Sequence, residues 1–549
     1  MINFLLDGQD FLKMVEACSK KLIIDIERIN SLNVFPVPDG DTGTNMRMTI
    51  EGGIVEARKL DTKNIGEMSK QLAKNMVLNA RGNSGVILSQ FFKGISTGLK
   101  NVEVADINQF SNAFVEAYKR SYSVVQNPTE GTMLTVMREA ADEANKTIDS
   151  NETLSEYLTN YLDAANTSLE NTPNLLPVLK KAGVIDSGGA GLCRIIEGML
   201  AYVNGEKIDD EELNECFEKR FGADSQLTLG YCTRFALQLQ NSKVDVANFD
   251  INVLKSFLNT IGDSVVIEKE NSIVKVHLHT FDPGIALTEC KKFGEYLSVK
   301  VDNIDVSGGK NHSIFEEVEI PEQEEKPHKP YAIVSVANGA GLAKAFMDMG
   351  VDEVVTGGQT MNTSTKDFIK AFDKINADRI FVFPNNSNIK MAAMQAAENY
   401  SNAEVVVVPT KTIAEGYSAI SMLNVENRSS AEIVEEEKEI ISNVKTLEVT
   451  YSIRDTQIGN LDIKKGNFIC IYDGELISTD ENRVEAVKKA FNTIADFDSK
   501  QVLTIFCGQD VPVDEVDVIK EFAETINPFI EVYPIQGDQN IYSFIIGIE

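Results

Sequence analysis

Phe11, Val15, Cys18, Leu22, Ile26 and Ile29 recur at steps of three and four residues, which places them on one face of a helix. Comparable stripes run near residues 66–79, 86–98, 108–122, 132–147, 153–169 and 190–203. No convincing alternation of apolar and polar residues interrupts them. From about residue 8 to 205 the chain therefore reads as a bundle of helices.

The breaks between the stripes are PVPDGDTGTN, ARGNSG (residues 80–85), NPTEGT (127–132) and DSGGAG (186–191). Loops at one end of a bundle converge in space although they lie far apart in sequence. Three of the four set small residues just before a helix, where free N–H groups and the helix dipole attract phosphate. Gly82, Asn83, Ser84 and Gly85, ahead of VILSQFF, form the best such cradle. Any one of these loops alone reads as an ordinary cap. Four in one helical domain, one of them carrying paired acids, favour a nucleotide.

The paired acids are Asp39 and Asp41 in PVPDGDTGTNM (36–46), a stretch expected to form neither helix nor regular strand. Close carboxylates repel unless something positive lies between them, and a hard divalent cation is the usual occupant. An EF-hand fails by counting from Asp39. Its fifth position would be Gly43, its glycine slot Thr44 and its closing glutamate Ile50.

At 549 residues the chain should hold about three domains. An acidic linker is expected at 206–226, then strands at 228–239, 264–269, 272–279 and 298–306, with helices near 249–261 and 284–296. That βαββαβ order is the ferredoxin-like one, with the third strand antiparallel beside the first. His277 and His279, two of only four histidines, share a face of the third strand and lie opposite Cys232 on the first. The set suits zinc, although a buried cysteine and two strand histidines can equally be packing neighbours. His312 and water are the candidates for a fourth ligand.

A second acidic linker is expected at 316–330. Beyond it, YAIVSVA, EVVTGGQ, RIFVFP and EVVVVP each precede a loop and a helix, which reads as an α/β domain with a largely parallel sheet over 331–549. The loops after these strands, at 338–341, 357–360, 384–387 and 409–411, are where such sheets meet ligands and partners. No Walker loop occurs. A second unit begins near residue 450.

A net charge of -31 disfavours nucleic acid or anionic lipid as a direct partner. Seven scattered cysteines do not make a disulfide framework. No apolar stretch is long enough to span a bilayer, and MINFLLDGQD lacks the basic region and apolar core of a signal peptide. Cytoplasm is the expected location.

Taken together, PVPDGDTGTNM, ARGNSGVILSQ, PTEGT, ENTPNLLPVLKKAGVIDSGGAGL, the GYC…VKVHLHT pair, GGQTMNTST and FPNNSNI resemble bacterial fatty acid kinase over essentially the whole chain. That family is the ATP-binding component of a two-protein system that phosphorylates exogenous fatty acids. The resemblance implies that residues 1–205 are similar to the L subunit of dihydroxyacetone kinase, an eight-helix barrel whose first loop holds two Mg2+ on the ATP phosphates. Asp39 and Asp41 match its metal-binding acids. A third acid of that pattern is missing, since Asn33-Val34-Phe35 stand in its place. Nucleotide contacts would fall to Thr42, Thr44, Asn45, Arg81, Asn83, Ser84, Gly85, Asp186, Gly188 and Gly189. The resemblance further implies a middle domain, 227–315, carrying zinc on Cys232, His277 and His279. The DegV-like C-terminal domain, 331–549, would receive a separate DegV-like fatty-acid-binding protein. A homodimer is expected.

The acceptor implied is a fatty-acid carboxylate and the product an acyl phosphate for phospholipid synthesis. A carboxylate is already ionised at pH 7, so no general base is needed, which fits the absence of histidine from 1–205. Catalysis would consist of positioning and charge neutralisation, with loop amides at 82–85 on the phosphates and Arg81 on the transferring charge. Two other readings stay open: an alcohol kinase of the dihydroxyacetone type, and a nucleotide-regulated lipid-binding scaffold that transfers no phosphate.

Overall fold

The apolar stripes become helices α1 (Gly8–Leu32), α2 (Thr42–Ala57), α3 (Ile65–Leu78), α4 (Gly82–Gly98), α5 (Ile107–Ser123), α6 (Met133–Lys146), α7 (Leu154–Leu175), α8 (Pro177–Ala182) and α9 (Ser187–Val203). This computed structural model describes residues 5–33, 40–125, 127–146, 148, 153–206, 208, 230–246, 248–258, 260–303, 327–357, 362–452, 455–458 and 461–549. Asp39, His312, most of both acidic linkers and Gly358–Gln359–Thr360 lie outside them. Phe11, Val15, Cys18, Leu22 and Ile29 are buried in one apolar core with residues of the other long helices. Among the described residues no helix is long and apolar enough to cross a membrane.

Two boundaries differ from expectation, both at the site end. Residues 42–46 are helical, the opening of α2, although Gly and Thr are poor helix formers. The reason lies outside the segment: Asn30 on α1 accepts from the N–H groups of Gly43 (2.8 Å) and Thr44 (3.3 Å). A neighbouring helix thus supplies the cap that the segment lacks. Gly82–Gly85 likewise form the first turn of α4 instead of a loop before it.

The chain divides into two compact units, Met1–Gly205 with Gln323–Glu549, and Glu206–Glu322. The second unit holds β1 (Tyr231–Leu239), α10 (Ile251–Leu258), β2 (Gly262–Glu270), β3 (Ile273–Thr280), α11 (Pro283–Cys290) and β4 (Gly294–Asn303). Its sheet order is β2-β3-β1-β4, with every neighbouring pair antiparallel.

In the first unit the bundle packs on an α/β part. This begins with β5 (Lys329–Ala337), α12 (Ala340–Asp348), β6 (Glu353–Thr356), α13 (Thr365–Asp373), β7 (Ala377–Phe383), α14 (Lys390–Asn399), β8 (Glu404–Val407), α15 (Ile413–Met422) and α16 (Ser430–Asn443). These four strands form a parallel sheet in the order β6-β5-β7-β8.

The remainder corrects the expectation of a largely parallel sheet. It comprises β9 (Lys445–Tyr451), the small pair β10 (Thr456–Ile458) and β11 (Leu461–Ile463), β12 (Phe468–Tyr472), β13 (Glu475–Asp480), α17 (Arg483–Thr493), β14 (Val502–Cys507), α18 (Val513–Ile526), β15 (Glu531–Gln536) and β16 (Phe544–Ile548). The six-stranded sheet runs β13-β12-β9-β16-β14-β15, and only β14 and β15 pair in parallel. Parallel pairing needs a long crossover, and here α18 alone provides one between adjacent strands.

Bundle and α/β part share an apolar core. Ala80 and Val86 are buried in one cluster with Val334, Phe368, Ile380 and Ile389. A polar chain, exposed at Arg120 and buried from Gln90 onward, crosses beside it. Arg120 Nε donates to Gln90 Oε1 (2.9 Å), and Gln90 Nε2 donates to Gln395 Oε1 (2.6 Å). Gln395 Nε2 in turn donates to the carbonyl of Val77 at 2.7 Å.

Candidate functional site

Asp41 stands at the N-cap position of α2 but does not cap it. Since Asn30 does that work, the carboxylate is left for other partners. Its Oδ2 accepts from Asn362 Nδ2, 2.5 Å away on the segment leading into α13, and the Asn45 side chain bonds to it as well. Burial pushes the Asp41 carboxyl above the ordinary range, and the two amides pull it partway back. A half-buried carboxylate whose side-chain partners among the described residues are neutral amides is short of positive charge, which a divalent cation would supply.

The start of α4 lies against the two amides that hold Asp41, and the start of α9 against its neighbour Thr42. Thr42 Oγ1 lies 3.2 Å from Ser187 Oγ, at the first position of α9. A Cβ added to Gly82 would stand 2.6 Å from Asn45 Nδ2 and 3.0 Å from Asn362 Nδ2. With φ at +59°, Gly82 also occupies a backbone region that side chains rarely enter. The α4 amide of Gly85 already donates to the carbonyl of Arg81 at 3.1 Å. Of the expected cradle, that leaves the amides of Gly82, Asn83 and Ser84 without a helical partner.

Several predicted nucleotide residues have work elsewhere. Thr44 gives its N–H to Asn30 and its hydroxyl accepts from Asn30 Nδ2 at 3.0 Å. Asp186 caps α9, accepting from the Gly189 N–H at 2.7 Å, and burial lifts its carboxyl to about 6 against the pull of the Gly189 and Met133 amides. Gly188 and Gly189 let α9 close on Met133, Val136 and Leu169, since a Cβ on either would lie 3.0–3.2 Å from those side chains. Arg81, expected to face the transferring phosphate, instead donates from Nη1 to the carbonyl of Asn362 (2.5 Å) and pairs with Asp367 at 3.5 Å.

Asn362 and Asp367 come from the α/β part, and sequence reasoning gave neither a role at the nucleotide, expecting the polar loop 357–365 that holds Asn362 to dock the carrier. The only available signal was the run of Asn and Thr in GGQTMNTST after β6. Other loops expected to face ligands or partners are engaged within the chain. Asn385 Nδ2 donates to Ser335 Oγ and the carbonyl of Val336, each at 2.9 Å. Gly339 and Gly341 lie against the backbone of residues 536–539, and Asn388 Oδ1 is 3.5 Å from Asn83 Nδ2.

Among the buried polar atoms that lack a partner among the described residues, five belong to residues of this junction: Arg81 Nε, Asn83 Oδ1, Ser84 Oγ, Asn362 Oδ1 and Thr363 Oγ1. Carboxylate, amide and hydroxyl oxygens make a donor set for Mg2+, and the first-turn amides of α4 suit phosphate. The residues present fit a metal–nucleotide complex.

In the other unit, β1 and β3 pair so that Cys232 lies opposite His279. The ligand atoms of Cys232, His277 and His279 all lie within 4.8 Å of one another, with Cys232 Sγ 3.9 Å from His277 Nδ1. Ligand atoms around a tetrahedral zinc stand roughly 3.3–3.7 Å apart, so this trio would have to draw in by up to about 1 Å to hold one. Burial pushes the Cys232 thiol up to about 11, opposed by Arg234.

Three family models match the chain: the DAK2 domain over residues 36–201, the middle domain of the fatty acid kinase FakA-like family over 228–309, and the C-terminal domain of that same family over 332–549. Protein YloV of Bacillus subtilis is 36% identical over 557 residues, spanning 99% of each chain. An uncharacterized Staphylococcus aureus protein is 34% identical over 561 residues, again spanning 99% of each. Among solved structures, dihydroxyacetone kinase from C. freundii in complex with AMP-PNP and Mg2+ matches at 18% identity and a TM-score of 0.28, covering 34% of this chain and 33% of its own. A DegV family protein from Corynebacterium glutamicum matches at 11% identity and a TM-score of 0.31, covering 40% of this chain and 96% of its own.

Proposed function

The chain belongs to the fatty acid kinase FakA-like family, and from that premise we propose that it transfers phosphate from ATP to the carboxylate of a fatty acid presented by a separate DegV-like protein. The product is an acyl phosphate. The observation that carries this reading is the Asp41 carboxylate held by Asn362 and Asn45, with the start of α4 against those two amides and the start of α9 against Thr42, beside buried polar atoms that lack partners among the described residues.

Asp41 would hold Mg2+, with Asp39 as the second acid of the same loop, and Mg2+ bound there would neutralise phosphate charge. Asn45 orients the Asp41 carboxylate. The amides of Gly82, Asn83 and Ser84 point the positive end of α4 at phosphate oxygens. Arg81 braces Asn362 and Asp367, so its part in catalysis is indirect as long as those bonds hold. Thr42 and Ser187 border the same space. The acceptor needs no base, and residues 1–205 contain no histidine to act as one.

The finer architecture belongs to the same reading. Residues 1–205 form an eight-helix barrel for Mg·ATP, and 227–315 a ferredoxin-like domain with zinc on Cys232, His277 and His279. Residues 331–549 form a DegV-like domain that docks the carrier, and the acidic stretches 206–226 and 316–330 link the three. A homodimer in the cytoplasm completes it.

The test incubates the full chain with Mg·ATP and a lipid-loaded DegV-like carrier and traps acyl phosphate with hydroxylamine. Hydroxamate formation that depends on both ATP and the loaded carrier is the expected result. Phosphorylation of dihydroxyacetone without any hydroxamate would replace this reading by the alcohol-kinase one.

A further inference from the structure

We propose that Asn362 is a positioning residue of the nucleotide site, so that the α/β part completes a site carried by the bundle. The inference rests on the kinase reading above. Asn362 bridges the two groups on which that reading depends. Its Nδ2 donates to Asp41 Oδ2, and its backbone carbonyl accepts from Arg81 Nη1, each at 2.5 Å. The side chain is 2% exposed, and its Oδ1 has no partner among the described residues. Thr363, 1% exposed, leaves Oγ1 in the same condition, as do Asn83 Oδ1, Ser84 Oγ and Arg81 Nε across the junction.

A buried polar atom without a partner costs stability and is rare in a folded protein. Five on the residues that make the Asp41–Asn362–Arg81 contacts or follow them closely in the chain describe a place built to receive something polar. The set mixes acceptors with an arginine N–H and the free amides that open α4. That mixture suits a nucleoside polyphosphate accompanied by a divalent cation better than it suits either alone.

Asn362 fixes the direction of the Asp41 carboxylate and keeps the Arg81 guanidinium on the α/β side. It does so from a segment pinned to the bundle: Ser364 pairs with the backbone of Arg81, and the Thr365 N–H donates to the carbonyl of Ala80 at 3.3 Å. Shifting the α/β part on the bundle therefore shifts Asp41. Nucleotide affinity is coupled to the seating of a part remote from it in sequence.

The experiment titrates the full-length protein with a non-hydrolysable ATP analogue and Mg2+ by calorimetry, beside thermal unfolding with and without Mg2+. Asn362→Ala is expected to weaken binding about tenfold or more, the usual loss for a hydrogen bond to a charged group. Asn362→Asp sets a second carboxylate against Asp41. Its unfolding temperature should fall without divalent cation and rise on adding Mg2+ by more than the wild type's. Gln395→Ala breaks the buried bonds between the same two parts away from Asp41. It should lower the unfolding temperature while leaving affinity within about twofold. Unchanged affinity in Asn362→Ala overturns the proposal and leaves the kinase reading standing. An equal loss in Gln395→Ala also overturns it, reducing Asn362 to an interface contact. A wild-type chain that binds no analogue removes the kinase reading and this proposal together.

Discussion

Replacing Asp41 by Asn keeps the shape of the side chain and removes the charge that burial already disfavours. Asp41→Asn should therefore unfold no earlier than the wild type, yet bind Mg·ATP several-fold or more weakly and transfer no phosphate. Calorimetry and the hydroxylamine assay check the two halves, and wild-type turnover at saturating Mg2+ would reject the metal site.

Glu437 carries a separate expectation. It is 1% exposed on α16, its Oε2 has no partner among the described residues, and burial lifts its carboxyl to about 7. An acid raised in this way contributes most to stability below its unfolded pKa, and that contribution is lost as pH rises through about 7. Glu437→Gln should then be more stable than the wild type at pH 8.5, by about 1–2 kcal/mol after solvent screening, and gain almost nothing at about pH 3.5, below the unfolded value. Unfolding temperatures at the two pH values measure it. At this scale Asp41 was legible because paired acids in a glycine loop have few uses. Asn362 was not, because an amide after a strand says nothing about which surface it will face.

The helices could be read from their apolar stripes, but their starts could not. The first turns of α2 and α4 hold Gly, Thr, Asn and Ser, poor helix formers, and for α2 the cap comes from Asn30 on another helix. The parallel sheet was legible because each of its strands leads into a helix. The six-stranded sheet was not, because β16 is the last strand in sequence yet pairs between β9 and β14. The β1–β3 register, by contrast, follows from strand order, and it sets Cys232 opposite His279. If those residues bind metal, the full chain purified without chelator should carry close to one zinc, and Cys232→Ala should lose it. Stability of the middle unit should fall in step, since binding energy for a structural metal is folding energy. Metal analysis by mass spectrometry decides this, and a metal-free wild type would leave the three as packing neighbours.

For the whole molecule, the end of the bundle that carries Asp41 and Arg81 is packed against residues from beyond position 329. A fragment ending at residue 205 would lose the partner amide of Asp41, both acceptors of Arg81 and the apolar neighbours of Ala80 and Val86. It should be less stable than the bundle within the full chain, bind Mg·ATP more weakly, and form no acyl phosphate with a loaded carrier. Adding residues 323–549 as a separate chain should restore part of the affinity. Full activity from the fragment alone would show that the α/β part contributes nothing to the site.

The core shared by Ala80, Val86 and the α/β strands also sets an order of events at the ribosome. When α9 has been made, the residues that cover this face are still unsynthesised, and the middle unit, Glu206–Glu322, must be made first. At ~5–20 residues per second, the bundle waits on the order of tens of seconds with an apolar face and the Gln90 side chain open to solvent. A nascent chain in that interval is a natural client for chaperones, and slow translation through the middle unit would lengthen its exposure.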